Sequence, residues 1–181
     1  MPHAPVLGVG GYTQIPGSTN TSTRTKASSL IPTQFLIRPY RPSDFETLYQ
    51  IDQICYIPGI AYSRRELRLY ARLPNAETLV AADGNTIAGF LMSARFRTEG
   101  RIITIDVLPE FRRLHLGTLL IKEAESRLRA AGATEILLET AVNNAAGVAF
   151  WQKHGYRVEG ILKNYYPAGL SAYAMIKSLH Q

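Results

Sequence analysis

Three consecutive strands that lead into a long amphipathic helix limit the folds open to this chain. A turn at Asp83-Gly84-Asn85 separates two β-prone segments, which predicts a hairpin over residues 78–95, and a third strand follows over 101–107. Residues 116–130 then carry leucines at helical spacing and end before Gly132. Strands that come first and then alternate with helices predict an α/β domain, a mixed sheet with helices on both faces.

The segments on either side extend this pattern. A strand is predicted over residues 35–38, a helix after Pro42, and a second helix that Ser63 caps and Pro74 ends. After the long helix, we predict a strand, a helix and two more strands, over 135–140, 144–154, 156–162 and 172–177. These elements predict a single domain over residues 35–181.

The first 34 residues differ from the rest in composition. They are rich in Gly, Pro, Ser and Thr and show neither helical nor strand periodicity. Such a segment buries too little apolar surface to offset the entropy of ordering. We therefore predict a flexible leader over residues 1–34.

Composition and charge exclude several classes of protein. The chain has one cysteine, Cys55, so an internal disulfide is impossible and a cytoplasmic location is expected. No apolar run approaches the length of a membrane span, and the first thirty residues lack the pattern of a secretory signal. The net charge of +6 comes from dispersed basic residues, which argues against nucleic-acid binding. We also predict no metal site.

The segment from residue 103 to residue 120 carries the most chemistry. A strand runs into a basic loop, and the loop runs into a helix whose first turn holds Gly117. Backbone N–H groups at a helix start have no partner within the helix and, with the helix dipole, form an anion site. Arg112 and Arg113 add positive charge there. The alternative is an ordinary strand–turn–helix with a solvated arginine pair.

This segment resembles a known family. Val107, Pro109, Phe111 and Arg112, followed by Gly117, are similar to the coenzyme A signature of GNAT acetyltransferases. The resemblance covers residues 35–181 and implies a central, mostly antiparallel sheet of six to seven strands, with acetyl-CoA as the cofactor. His115 stands where the signature has its first glycine. We expect a side chain there to be tolerated if the backbone stays helical, with a neutral effect on the cofactor.

The C-terminal third strengthens the resemblance. Residues 138–156 look like the block that follows the fifth strand of GNAT enzymes. Asn164-Tyr165-Tyr166-Pro167 resembles the Asn-Tyr-Tyr-Pro of RimI-type enzymes, which acetylate protein N-terminal α-amines. The resemblance therefore implies that a peptide or protein N-terminus is the acceptor.

The resemblance also implies a role for each matching residue. Amides of Leu114, His115, Leu116, Gly117 and Thr118 are expected to hold the pyrophosphate, beside Arg112 and Arg113. The backbone of Ile105 and Val107 is expected to pair with the pantetheine arm, and Asn144 to contact it. Glu139 matches the base, and Tyr165 and Tyr166 line the acceptor pocket. Trp151 is also assigned to the cofactor site, where it replaces a tyrosine that protonates the leaving thiolate. Tyr165, Tyr166 or Tyr156, or solvent, is therefore expected to supply that proton.

Two other functions remain open on the sequence. The same fold and cofactor could serve a small-molecule amine acceptor. His115 and Trp151 also fit a non-catalytic acyl-CoA-binding module, because both depart from the family pattern. A monomer and a homodimer are both compatible with the sequence.

Overall fold

The computed structural model of the protein describes residues 34–57 and 59–179. All but the last residue of the predicted leader lie outside this range. The described residues form a seven-stranded sheet in the order β1-β2-β3-β4-β5-β7-β6. The strands are β1 (Leu36–Pro39), β2 (Ala76–Asp83), β3 (Thr86–Phe96), β4 (Glu99–Val107), β5 (Glu135–Ala141), β6 (Arg157–Leu162) and β7 (Ala172–Ser178).

Four helices cover the two faces of this sheet. The helices are α1 (Phe45–Cys55), α2 (Arg64–Tyr70), α3 (Leu116–Ala130) and α4 (Ala145–Lys153). Apolar residues of α1 and α2 pack with Phe90 and Ile103 in one buried cluster. Residues of α3 and α4 pack with Leu91 and Ile105 in another. The adjacent residues Phe90 and Leu91 thus point into opposite clusters, as the twofold alternation of a strand requires. The predicted α/β class and the mostly antiparallel sheet are confirmed.

Local chemistry explains where several elements begin and turn. Ser63 and Glu66 form a capping box at the start of α2, in which the Ser63 hydroxyl oxygen accepts from the Glu66 N–H. Gly84 adopts a positive φ of 56° in the tight turn between β2 and β3. Gly89 lies so close to β4 that a Cβ there would be 2.3 Å from the Asp106 carbonyl oxygen. A side chain at position 89 would therefore push β3 and β4 apart.

The centre of the sheet contains its main irregularity. β4 and β5 run parallel, and their register covers only Glu99–Arg101 of β4 against Glu135–Leu137 of β5. Beyond Arg101, β4 continues to pair with β3, while β5 continues to pair with β7. A register shift in the β3–β4 pair also leaves Ile103 without a counterpart in β3, which marks a β-bulge. The two central strands therefore separate toward their carboxyl ends and leave a gap in the sheet.

Two carboxyl groups are buried between α1 and β4. Asp52 and Asp106 are at most 1% exposed, and each has one carboxyl oxygen with no hydrogen-bond partner among the described residues. The other oxygen of Asp52 accepts from the Tyr62 N–H at 2.9 Å, and that of Asp106 accepts from the Thr104 hydroxyl at 3.1 Å. Burial raises the pKa of Asp52 to about 7, and burial together with the nearby Asp52 raises the pKa of Asp106.

These carboxyl groups predict how stability depends on pH. Because the folded pKa of Asp52 lies above its unfolded value, the folded state binds more protons between about pH 4 and pH 7, and stability falls as the pH rises through that window. We expect wild-type protein to melt at a lower temperature at pH 8 than at pH 5, and Asp52→Asn to reduce that difference. Thermal melts followed by circular dichroism measure it, with Asp83→Asn as the control. An Asp52→Asn variant that keeps the wild-type pH dependence would show that this carboxyl group is not its source.

Candidate active site

A cavity of about 490 Å³ opens beside the end of β4. The end of β4, the loop that follows it, the first turn of α3 and one face of α4 form its walls. Its lining residues are Ile105, Val107, Phe111, Arg112, Arg113, His115, Leu116, Gly117, Thr118, Ala146, Phe150, Lys153 and His154. The sequence-predicted pyrophosphate and pantetheine segments therefore face the same cavity.

The electrostatics of this cavity favour an anion. Arg112, Arg113 and Lys153 contribute positive charge, and the lining includes no Asp or Glu among the described residues. The first intrahelical bond of α3 runs from the Leu119 N–H to the His115 carbonyl oxygen, at 3.0 Å. The N–H groups of the residues before Leu119 consequently have no partner within the helix and point toward the cavity end of α3. A polyphosphate group fits such an arrangement.

The side-chain contacts between α3 and α4 hold the cavity in shape. A Cβ on Gly117 would lie 3.2 Å from the Phe150 ring, so glycine at this position lets the ring pack against α3. His154 bridges the same helices, because its Nδ1 donates to the Phe150 carbonyl oxygen at 2.8 Å and its Nε2 lies 3.1 Å from the Thr118 hydroxyl. With Nδ1 as the donor in the neutral ring, Nε2 accepts from Thr118.

Glu139 lies in β5 beyond the residues that pair with β4, so its strand borders the gap in the sheet. The Arg101 guanidinium donates to Glu139 Oε1 at 2.6 Å and also contacts Glu99 at 3.3 Å. Glu139 Oε2 is buried and has no hydrogen-bond partner among the described residues. Burial raises the pKa of Glu139 above its ordinary value, although Arg101 opposes that shift. The buried carboxylate therefore has one oxygen in an ion pair and one that can accept a proton.

Two loops approach one another over the far side of the gap. The loop between α1 and α2 brings Gly59 near the loop between β6 and β7, where a Cβ on Gly59 would lie 3.8 Å from Pro167. Ile60 packs against a cluster that contains the buried Tyr166, and the Tyr165 and Tyr166 rings meet edge to face at 5.1 Å. Burial and the negative charge of Glu139 raise the pKa of Tyr165, so its phenol stays protonated near neutral pH.

Comparison with known proteins identifies the family. The profile of the Acetyltransferase (GNAT) family matches residues 45–156, more than half of the chain. The chain belongs to the GNAT acetyltransferase family. Members of this family use acetyl-CoA, a thioester whose pyrophosphate suits the basic cavity beside α3.

Individual proteins agree with this assignment. An uncharacterized N-acetyltransferase of Methanocaldococcus jannaschii is 29% identical over 78% of this chain and 90% of its own length. The ribosomal protein bS18-alanine N-acetyltransferase of Salmonella typhimurium is 31% identical over 45% of this chain and 55% of its own length. The crystal structure of Ard1 from Thermoplasma volcanium superimposes with a TM-score of 0.76, at 26% identity, over 81% of this chain and 99% of that one.

Eight of the eleven residues that the GNAT resemblance assigns to the cofactor line the cavity, and three do not. Leu114 lies between two lining residues, with its side chain exposed. The Asn144 side chain accepts from the Gly147 N–H at 2.9 Å and so caps α4. Trp151 is fully buried and packs edge to face on Phe150 and Tyr156. The structure places Trp151 in the core rather than on the wall of this GNAT cavity.

The backbone at the signature glycine position corrects one expectation. A side chain at position 115 is expected to be tolerated if the backbone stays helical, but the φ of 60° and ψ of 12° of His115 lie in the left-handed region. Arg113, two residues earlier, also has a positive φ, of 65°. Left-handed backbone at a residue with a Cβ costs roughly 1–2 kcal/mol. The GNAT loop therefore keeps a glycine-type conformation although His115 is not a glycine.

The sequence patterns assign no role at the site to five of the cavity residues. They also assign none to Arg101, the ion-pair partner of Glu139. Phe111 enters only as part of the signature, and Arg101 only as the start of a strand. Three residues of α4 and its C-cap residue face the cavity, namely Ala146, Phe150, Lys153 and His154. Their spacing of three to four residues places them on one side of a helix, and this signal is present in the sequence. No sequence pattern pairs Arg101 with Glu139, because the two residues lie on different strands.

The strained loop yields a test of its conformation. Replacing His115 with glycine removes the clash of left-handed backbone with a Cβ, while the more flexible unfolded chain offsets part of the gain. We expect His115→Gly to raise the free energy of unfolding by up to about 1 kcal/mol. Leu114→Gly is the matched control, because Leu114 is not among the residues with positive φ, and it should lower stability. Urea unfolding measures the free energy of unfolding of both variants. Equal losses of this free energy in the two would show that the backbone at position 115 is unstrained.

Proposed function

We propose that this protein transfers the acetyl group of acetyl-CoA to the N-terminal α-amine of a peptide or protein. The observation that carries this proposal is the position of Glu139. Its buried, unpartnered Oε2 lies on a strand beside the gap between β4 and β5, and the basic cavity opens at the end of β4. A proton acceptor, an anion-binding helix end and an open strand edge thus occur in one region of the sheet.

The cavity residues are proposed to hold the cofactor in two parts. The N–H groups of Leu114, His115, Leu116, Gly117 and Thr118, with the charge of Arg113, would hold the pyrophosphate. The backbone of Ile105 and Val107 lies where β4 has no partner in β5, so it can pair with the amide groups of pantetheine. The bound thioester supplies an activated acetyl group.

Three predicted cofactor contacts need adjustment within this proposal. The Arg112 Nε donates to the Val107 carbonyl oxygen at 3.0 Å, so this side chain fixes the end of β4 as well as adding charge. Asn144 is proposed to act by capping α4, which carries the Phe150 wall, and Trp151 by packing behind that wall.

The remaining chemistry is a proton transfer. As the amine nitrogen bonds to the acetyl carbon, the carbon–sulfur bond breaks, and the nitrogen must lose a proton. Glu139 Oε2 is proposed to receive that proton, directly or through a water molecule. The Val107 N–H is proposed to stabilise the thioester oxygen, as an oxyanion-hole donor does. Tyr165 and Tyr166 are proposed to line the acceptor side, and either phenol, or solvent, would protonate the thiolate.

An α-amine suits this site better than a lysine does. The amine must be neutral to attack, and an α-amine has a pKa of about 7.7–8.0 against about 10.4 for lysine. A single carboxylate is therefore sufficient machinery for an α-amine. The relative from Salmonella typhimurium is named for acetylation of ribosomal protein bS18 at an alanine.

As part of the proposal, we place the reaction in the cytoplasm. No helix of residues 34–57 and 59–179 is long and apolar enough to cross a membrane.

Replacement of the base tests this proposal directly. We expect Glu139→Gln to lower kcat about 100-fold, because a general base contributes on the order of 10²–10⁴ in rate. Binding of acetyl-CoA should be unchanged, since Glu139 does not line the cavity. Thiol release on a library of short peptides with free N-termini measures kcat, and calorimetry measures binding.

The controls separate this proposal from its alternatives. Glu123→Gln changes a glutamate of a surface ion pair and should retain full activity. Free lysine, polyamines and N-terminally blocked peptides test other acceptors, and turnover on these alone would contradict the α-amine proposal. Full activity of Glu139→Gln would exclude Glu139 as the base.

A further inference from the structure

Arg101 has no role in the family signature, yet it lies where the two central strands part. It is the last residue of β4 in register with β5, opposite Leu137. Its Nη1 donates to Glu139 Oε1 at 2.6 Å, and its Nη2 contacts Glu99 Oε1 at 3.3 Å. A chain of alternating charge therefore crosses from β4 to β5 at the edge of the gap.

The two oxygens of Glu139 have different environments. Oε1 is held by the guanidinium, whereas Oε2 is buried and has no partner among the described residues. A buried carboxylate oxygen without a partner is costly unless a ligand or water completes it. This asymmetry separates an anchored oxygen from one that is available for chemistry.

We propose that Arg101 is a positioning residue for the base: it anchors Glu139 through Oε1 and so presents Oε2 as the atom that accepts the amine proton. This inference rests on the proposed function. The proton lost by the amine nitrogen bonds to Oε2, and the electron pair of the carbon–sulfur bond leaves with the thiolate. Arg101 exchanges no proton, because a guanidinium stays protonated.

The charge of Arg101 has a second effect. A carboxyl group this deeply buried tends to be protonated, and a protonated carboxyl group cannot act as a base. The positive charge of Arg101 and its hydrogen bond lower the pKa of Glu139, whereas Glu99 raises it. Tyr165, a neutral phenol, also interacts with Glu139. Ala174, the β7 neighbour of Glu139 in register, carries no charge. Among the described residues, Arg101 is therefore the cation that opposes protonation of this base.

A purely structural role for Arg101 makes different predictions. An ion pair that only ties β4 to β5 would lower stability when removed, without changing the titration of Glu139. The ion pair between Arg127 of α3 and Glu77 of β2 offers a matched surface control, because it also links side chains of different elements.

The experiment compares Arg101→Met, Arg101→Lys, Glu99→Gln and the control Arg127→Met. Carboxyl ¹³C NMR of glutamate-labelled protein follows the titration of Glu139, whose signal is assigned by its loss in Glu139→Gln. We expect Arg101→Met to raise the pKa of Glu139 by about one unit or more, a tenfold change in its protonation equilibrium. Arg101→Lys should bring the pKa of Glu139 most of the way back from its Arg101→Met value to its wild-type value. Glu99→Gln should lower the pKa of Glu139.

Activity provides the second readout. The acid limb of the kcat/KM profile should move to higher pH in Arg101→Met by the same amount, with the KM for acetyl-CoA within about twofold of wild type, since Arg101 lies outside the cavity lining. If Arg101→Met and Arg101→Lys leave the titration of Glu139 unchanged while wild-type protein is active, this inference alone is overturned. Wild-type protein that transfers no acetyl group to any peptide overturns the proposed function instead.

Discussion

The early separation of β4 from β5 is the constraint on which the rest of the site depends. Hydrogen bonding between these parallel strands stops at Arg101, while β5 stays beside β7 and β4 stays beside β3. Strands that stayed paired would fill the gap with backbone and leave no edge for a ligand. The separation instead exposes the end of β4, brings the first turn of α3 to one side of it and leaves Glu139 on the other side.

The buried acidic groups of this protein lie in two different environments. On one side of the sheet, Asp52 and Asp106 lie together under α1, where burial favours their protonated forms. At the gap, Glu139 is also buried, but Arg101 opposes the same tendency. The cavity beside α3 has a basic lining. The two groups of acids thus differ in their hydrogen-bond donors: Glu139 accepts from a guanidinium, whereas the donors to Asp52 and Asp106 include the neutral Tyr62 N–H and Thr104 hydroxyl.

Much of this arrangement follows from local sequence. Helical spacing in residues 116–130, the turn at Gly84 and the strand that ends before Pro109 each depend on near neighbours, and the elements they predict are present. Most of the signature residues line the cavity because they are contiguous along the chain. The positive φ of His115 is the exception, because a side chain there is expected to be tolerated on the condition of a helical backbone, and the loop has a left-handed one instead.

What sequence could not provide depends on contacts between distant elements. The ion pair between Arg101 and Glu139 joins residues 38 positions apart, and the bridge from His154 to Thr118 joins residues 36 apart. Trp151 matches a cofactor residue by its place in the motif, yet the fold places its side chain in the core. A motif assigns a residue to a position along the chain, whereas the direction of its side chain is decided by packing.

The central claim is that a nucleotide thioester binds with its pyrophosphate at the start of α3 and its acyl arm along the end of β4. Amide NMR of ¹⁵N-labelled protein titrated with acetyl-CoA tests this most directly. We expect the largest shifts at the amides of Leu116, Gly117 and Thr118 and at those of Ile105 and Val107. Saturable shifts confined to another surface, such as the groove lined by Tyr40 and Arg72, or no shifts at all, would contradict it.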